Sequence, residues 1–469
     1  MNISVIGMEH VGLITGACLA AYGHQVTGVD VNSELVARIN SGRMPLYEPG
    51  LEALVTQAVT SGRLRATEDL RSAVLNSEVT FICVDVSGGS DGIDLSQVIE
   101  ASQGVGAALA RKSGYHVVAV KSTVLPGTTE DIVRNIIESR SGRRLGATWG
   151  LCANPEFLRT GQAVAEFLTP DRLVIGASDD RTAATMLQLY EHYDCPRIVT
   201  TPRTAELIKY VTNSLFATLV SFSNEIANLC MKVPGIDVRE IWNGVHLDRR
   251  LKASTQNPQR PIGVTEYLWH GLGFGGSYLP NDIYALREFG RRLGGTTPLL
   301  DAVVTINTSQ PLQIVSLLKE EMELAGRTVA ILGLAFKPGT EDLHESPALP
   351  IIAALIQQGA SVVVHDPVAM HRAREQSLFD DVTFASHWGT ALRGADACCI
   401  ITAWPEYRAI QPEDFRMLMR RPLVIDGRGM FSPEALAAAG VKWRGIGHTP
   451  RITETFTAKD VKVVKEVNV

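Results

Sequence analysis

The 469-residue chain has no run of roughly 18 or more apolar residues, so no membrane-spanning helix is expected. Its opening, Met1-Asn2-Ile3-Ser4-Val5-Ile6-Gly7, has no charged leader, long apolar core or cleavage site, so no secretory signal is expected. There is no excess of positive charge: the formal net charge of −6 argues against nucleic-acid or anionic-membrane partners. A local basic cluster around a phosphate stays compatible with that total. The seven cysteines show neither metal-ligand spacing nor a disulfide framework, so no metal is expected and a reducing cytoplasm is the simplest location. Cys398-Cys399, inside the apolar run Ala397–Ile401, reads as core packing. What remains is ordinary globular material, 45% hydrophobic and 20% charged, long enough for about three domains of ~150 residues.

The first 200 residues alternate β-rich runs with helical patterns. Ile3–Ile6, Gln25–Val29, Val79–Val84, His116–Lys121, Gly150–Ala153 and Leu173–Gly176 read as strands, which predicts an α/β fold with a Rossmann-like, doubly wound sheet. Pro202-Arg203-Thr204 offers a helix start with Thr204 as N-cap, and Ala205–Lys232 then reads as one long central helix. Its apolar faces suit an intramolecular spacer, a dimer seam, or both. From Gly326 the pattern restarts with strands at Val329–Leu332, Ser361–Val364, Ala397–Thr402 and Leu423–Ile425, a second, C-terminal α/β Rossmann-like domain. The expected division is a nucleotide-binding domain over 1–203, a central helical region over 204–300, a C-terminal domain over 301–450, and a loosely ordered tail over 451–469.

The first strand-to-helix turn reads Gly7-Met8-Glu9-His10-Val11-Gly12, and Asp30 closes the second strand. A dinucleotide turn uses its first glycine for the tight bend and a later one for close packing, and it seats the pyrophosphate on the helix N-terminus. Gly7, Val11, Gly12 and Asp30 are therefore the expected contacts to NAD, with Asp30 on the ribose hydroxyls. Glu9 breaks the pattern. Either it points a charge at the pyrophosphate, or it swings outward as a solvated turn residue.

Further along, Tyr47-Glu48-Pro49-Gly50-Leu51, Lys121-Ser122-Thr123-Val124-Leu125-Pro126-Gly127-Thr128, Asn154-Pro155-Glu156-Phe157-Leu158-Arg159 and Glu206-Leu207-Ile208-Lys209-Tyr210-Val211-Thr212-Asn213 precede Gly273-Phe274-Gly275-Gly276-Ser277-Tyr278-Leu279-Pro280-Asn281-Asp282. Phe336-Lys337-Pro338-Gly339-Thr340-Glu341-Asp342 follows. In this order, over residues 1 to about 435, the chain resembles the UDP-glucose/GDP-mannose dehydrogenase family. The resemblance implies an NAD-dependent homodimer that oxidises a sugar alcohol twice, with a cysteine in G-F-G-G-S-C-x-P-K-D carrying the aldehyde and then the acyl group. It places an active-site threonine, also beside the cofactor, on Thr123, and a catalytic glutamate on Glu156. Lys209 and Asn213 then hold the sugar and stabilise negative oxygen, while Asp282 orients a water or proton. It assigns substrate contacts to Tyr267, Leu268, Gly275 and Lys337, and to Arg250 reaching into a neighbouring subunit. Read alone, Glu206 and Lys209 would be a solvated i,i+3 pair, and Asp282 a helix cap.

Several positions depart from the family pattern. Tyr278 stands at the cysteine, Asn281 and Trp269 at lysines, Thr160 at a carboxylate and His344 at an arginine. Asp85-Val86-Ser87 replaces G-T-P on the cofactor side, and about a dozen residues are added around Ser254–Thr265. A phenol of pKa near ~10 is a poor substitute for a thiolate in covalent capture. Three functions follow: an oxidoreductase performing one two-electron or redox-neutral step on a nucleotide sugar or nucleoside, with Tyr278 as acid–base group or as filler; a four-electron dehydrogenase working through a hydrated aldehyde; or a nucleotide-sugar-binding protein without turnover.

Overall fold

The computed structural model describes residues 1–43, 47–86, 88–89, 92–251 and 264–449. Apart from Val264 and Thr265, the added segment at Ser254–Thr265 lies outside the described residues, as does the tail beyond Pro450.

Short runs rich in Val, Ile and Ala build the N-terminal sheet because they are apolar on both faces: Val79–Ile82, His116–Val120 and Trp149–Ala153 are buried throughout. Such strands need helices on both sides, which favours parallel pairing with helical crossovers. The sheet runs in the order Arg197–Thr200, Leu173–Ala177, Trp149–Ala153, His116–Val120, Val79–Ile82, Asn2–Ile6, Gln25–Val29, Leu64–Thr67. The six strands from Trp149–Ala153 to Leu64–Thr67 are mutually parallel. Leu173–Ala177 then turns antiparallel, with Arg197–Thr200 parallel beside it. The doubly wound architecture is as expected, and the edge strands Leu64–Thr67 and Arg197–Thr200 are additional. The first alternates buried with exposed residues and the second is largely exposed, so neither forms a continuous apolar run. Two strands also stop early, at Ile82 and Val120, because Cys83–Asp85 and Lys121–Thr123 leave the sheet as loops.

The chain leaves Asn2–Ile6 towards one edge of the sheet and later returns to its other side as Val79–Ile82. At such a reversal the loops at the strands' carboxyl ends part and leave a crevice.

The central helix is Pro202–Cys230, 29 residues and roughly 44 Å long at 1.5 Å per residue. It begins earlier than Thr204 suggests. Thr201 is the N-cap, its hydroxyl accepting the Thr204 N–H at 3.3 Å, and Pro202 occupies the first turn, where its fixed φ suits a helix and no N–H is needed. It also ends at Cys230 rather than Lys232. Helices Leu279–Arg292 and Pro298–Ser309 pack along it. Val211, Leu215, Phe222 and Leu229 stay exposed on the helix.

The C-terminal domain is a six-stranded parallel sheet in the order Thr383–Phe384, Ser361–His365, Thr328–Leu332, Ala397–Ile400, Leu423–Asp426, Lys442–Gly445. Its order reverses between Thr328–Leu332 and Ala397–Ile400, with Gly333–Lys337 following the first of these strands. Cys398 and Cys399 are fully buried in this core. Among the described residues no helix is long and apolar enough to cross a membrane.

Candidate active site

A cleft of about 1320 Å³ is lined by the Glu9–Val11 turn, the Cys83–Val86 and Lys121–Thr123 loops, Gly276–Tyr278 and Thr340–Glu345. The glycine loop is a seam between the lobes. A Cβ on Gly275 would lie 2.3 Å from the Glu345 carbonyl oxygen, so only glycine lets the two backbones meet. The N–H of Gly276 donates to the His344 carbonyl at 2.8 Å.

On the nucleotide side, Gly7 has φ +85, and a Cβ there would meet the Val84 backbone at 2.8 Å. The N-cap of helix His10–Ala21 is Glu9, whose side chain makes no capping bond. The first turn is thus left uncapped by any side chain, as an anion site requires. Asp30 accepts from the Met8 N–H at 2.8 Å and the Asn32 N–H at 2.9 Å, which fastens the turn to the end of the second strand. Val11 and Thr123 line the same cleft. Glu9 is exposed, as a solvated turn residue would be, yet its carboxyl feels Asp85. A hydrogen bond to Asp85, then burial and the Asp85 and Asp30 charges, push the Glu9 carboxyl up to about 8. The raised Glu9 carboxyl lessens the negative charge that the turn presents to a pyrophosphate. An uncapped helix start and a tight glycine turn together fit NAD.

On the sugar side, the central helix projects Lys209 and Asn213 one turn apart. Lys209 Nζ donates to Glu156 Oε1 at 2.7 Å, and both side chains are buried. Glu206 is not its partner. It is buried too and accepts from the Gly127 and Thr129 N–H groups at 2.6 and 2.9 Å, so the solvated-pair reading fails. Burial pushes the Glu206 carboxyl up to about 7 against these bonds. Asp282 sits within the first turn of Leu279–Arg292 rather than at its cap, and accepts from Asn213 Nδ2 at 2.5 Å. Burial pushes its carboxyl up to about 7, opposed by Lys209 and the Asn213 bond. Tyr278 immediately precedes that helix, its ring centroid 5.4 Å from Lys209 Nζ. Burial and the carboxylates of Glu156, Asp85, Asp342 and Glu48 raise its phenol well above the ordinary value.

Thr123, Glu156, Tyr278 and Asp282 thus line one cleft, backed by Lys209 and Asn213. Other expected site residues stand elsewhere. The Arg250 side chain is 89% exposed and paired with Asp248. Tyr267 stacks on Phe216 with centroids 4.0 Å apart. Leu268 belongs to the C-terminal core, its carbonyl accepting from His246 at 2.9 Å. Lys337 lies in the loop after Thr328–Leu332, against the Phe336 ring, its ammonium pKa lowered by burial and by Arg159. Of the replaced positions, Thr160, Asn281 and His344 line the cleft.

Three residues of the site were not singled out by sequence. Lys121 is buried and donates to Asn154 Oδ1 at 3.2 Å. His10 contacts Tyr278 through one ring nitrogen and Glu48 through the other. Glu48 and Lys121 lay inside matched motifs, and His10 inside the glycine turn, but nothing local indicates which partners they meet.

Three domain models of one family match the chain: "UDP-glucose/GDP-mannose dehydrogenase family, NAD binding domain" at residues 1–194, the central domain at 203–309, and the UDP binding domain at 330–433. The UDP-glucose 6-dehydrogenase AglM of Haloferax volcanii is 40% identical over 91% of this chain and 96% of its own length. The UDP-glucose 6-dehydrogenase TuaD of Bacillus subtilis is 37% identical over 95% of this chain and 93% of its own. The structure of a UDP-glucose dehydrogenase from Pyrobaculum islandicum superposes with a TM-score of 0.86 at 38% identity, covering 95% of this chain and 97% of that one. The N-terminal domain is accordingly an NAD-binding domain.

Proposed function

The chain belongs to the UDP-glucose/GDP-mannose dehydrogenase family, and from that membership we propose an NAD-dependent oxidoreductase that takes one electron pair from a nucleotide sugar, with UDP-glucose the first substrate to test. NAD, bound at Gly7, Val11, Gly12, Asp30 and Thr123, supplies the hydride acceptor. Lys209 and Asn213 stabilise the oxygen that loses its proton, a role suited to an ammonium and an amide in a water-poor site. Glu156 fixes the ammonium, and Asp282 can hold or release a proton near neutrality. Lys337, Gly275, Tyr267 and Leu268 belong to the sugar-nucleotide side of this reading.

The observation that carries the single step is the chemistry of the cleft's sulfur. Of the seven cysteines only Cys83 lines the cleft; it is 3% exposed, and burial pushes its thiol up to about 12. A thiol held protonated is not a nucleophile, and Cys398 and Cys399 lie in the far sheet. Tyr278, where an acyl-carrying thiol would stand, supports oxidation that halts at the carbonyl or returns the hydride in a redox-neutral cycle. The test is stoichiometry with UDP-glucose. One NADH per sugar, or an isomerised sugar with none, supports the reading; two NADH per sugar overturns it in favour of the four-electron dehydrogenase.

The exposed row Val211, Leu215, Phe222 and Leu229 supports a homodimer along the central helix, and the exposed Arg250 suits a contact made to the partner's substrate.

A further inference from the structure

His10 bridges two side chains that are remote in sequence. Its Nδ1 lies 3.1 Å from Tyr278 Oη and its Nε2 lies 3.0 Å from Glu48 Oε2. Glu48 is fully buried at its side chain and also accepts from the Gly161 N–H at 2.8 Å and the Ala163 N–H at 2.9 Å. A carboxylate has only acceptors, so the ring proton facing Glu48 sits on Nε2. A neutral imidazole then offers a lone pair at Nδ1, into which the Tyr278 hydroxyl donates. The order carboxylate, imidazole, hydroxyl is that of an activated acid–base group, in which the third member orients the second.

We propose that His10 and Glu48 are the positioning residues of a proton relay that makes Tyr278 the acid–base group of the oxidation. This rests on the two-electron reading above. As the substrate C–H electron pair leaves to NAD as hydride, the C–O bond becomes a carbonyl and the hydroxyl O–H bond breaks. That proton passes to Tyr278 Oη while the phenol's own proton passes to His10 Nδ1. Glu48 stabilises the resulting imidazolium. The His10 side chain is 23% exposed, so the proton has an exit to solvent without crossing the sugar site. Burial and the surrounding carboxylates keep the phenol protonated at rest, so the group works by exchanging one proton for another rather than as a standing phenolate.

The relay has a readout that needs no substrate. In full-length protein carrying 15N-labelled histidine, the His10 signals are assigned by their loss in His10→Gln. The expected result is the Nε2–H tautomer, with the Nδ1 resonance moving in Tyr278→Phe and the tautomer preference lost in Glu48→Gln. An Nδ1–H tautomer, or a His10 spectrum indifferent to Tyr278→Phe, overturns the relay. With UDP-glucose and NAD, His10→Ala should lower kcat on the order of 10²-fold with little change in KM, and added imidazole should restore part of the loss. Unchanged kcat, or loss confined to KM, also overturns it. If His10→Ala folds poorly, His10→Gln takes its place in the kinetic comparison. Failure of the parent enzyme to oxidise any nucleotide sugar would remove the proposed function, and the spectra would then decide the relay alone.

Discussion

Lys209 Nζ lies 2.7 Å from Glu156 Oε1 with each side chain only 2% exposed, so the charge proposed to handle substrate oxygen is itself half of a buried ion pair. Lys209→Ala should therefore have two effects. Turnover falls by about 10²–10³ through loss of oxygen stabilisation. Stability falls by roughly 3–5 kcal/mol, because a carboxylate is left buried without its partner. Combining Lys209→Met with Glu156→Gln should recover much of the stability and none of the activity. Denaturant midpoints and kcat measured together check this; a single variant as stable and as active as the parent would reduce Lys209 to packing.

Asp282 should make the enzyme pH-sensitive near neutrality. Burial raises its carboxyl from 3.8 to about 7, so the folded protein holds a proton there that the unfolded chain releases. The stability this proton contributes is fully present below 3.8 and is lost as pH rises through about 7. Glu206, raised to about 7, titrates in the same window. The stability difference between parent and Asp282→Asn should therefore shift in favour of the variant as pH rises from 3.8 to about 7 and level off above it. A difference constant with pH would show that Asp282 does not titrate there.

Glu9→Gly should tighten NAD binding, and most of all above the Glu9 transition near 8. Below it Glu9 holds a proton; above it its charge faces the pyrophosphate, so parent affinity falls as pH rises. At ~4 Å and an effective dielectric of ~20, each like charge costs up to roughly 4 kcal/mol, and a gain on the order of tenfold is expected after screening. Calorimetric titrations on both sides of the transition decide it. Equal affinities at both pH values would mean that the pyrophosphate does not sense Glu9.

Tyr278→Cys should not convert the enzyme into a producer of two NADH per UDP-glucose. Asn281, Thr160 and His344 also differ from the family pattern and line the same cleft, and groups acting as a unit are strongly non-additive. Appearance of the second NADH in this single variant would show that the missing thiol was the whole difference.

Charge placed on the exposed row of the central helix should dissociate the proposed homodimer. Leu215→Glu with Phe222→Glu buries unpaired carboxylates in any helix seam while altering only exposed positions of the monomer. Light scattering should fall from dimer to monomer mass with the fold intact by circular dichroism. A parent protein that is monodisperse as a monomer at micromolar concentration would refute the seam.

Both sheets were legible in the sequence because their strands are apolar on two faces, a signal that needs no partner to be read. The edge strand Arg197–Thr200 was not, since its residues are largely exposed and its only cue is the neighbour it pairs with. In the cleft, Thr123, Glu156 and Asp282, and behind it Lys209 and Asn213, were placed by ordered motifs. Glu206 illustrates what a spacing rule cannot see: three residues before Lys209 on a helix it suggests a surface pair, yet the turn at Gly127–Thr129 folds over it and takes its carboxylate as a backbone acceptor. His10 and Tyr278 are 268 positions apart, so their contact arises only when the lobes come together.

The glycine seam gives that contact a mechanical meaning. Gly276 is tied backbone to backbone to His344 in the C-terminal lobe, whereas His10 begins the first helix of the nucleotide-binding lobe. The 3.1 Å bond between His10 and Tyr278 is therefore a gauge of the gap. Widening by about 1 Å takes it beyond hydrogen-bond range while both sheets remain undisturbed. Under the relay proposed above, Tyr278 would be joined to His10 only while the two lobes stay in contact.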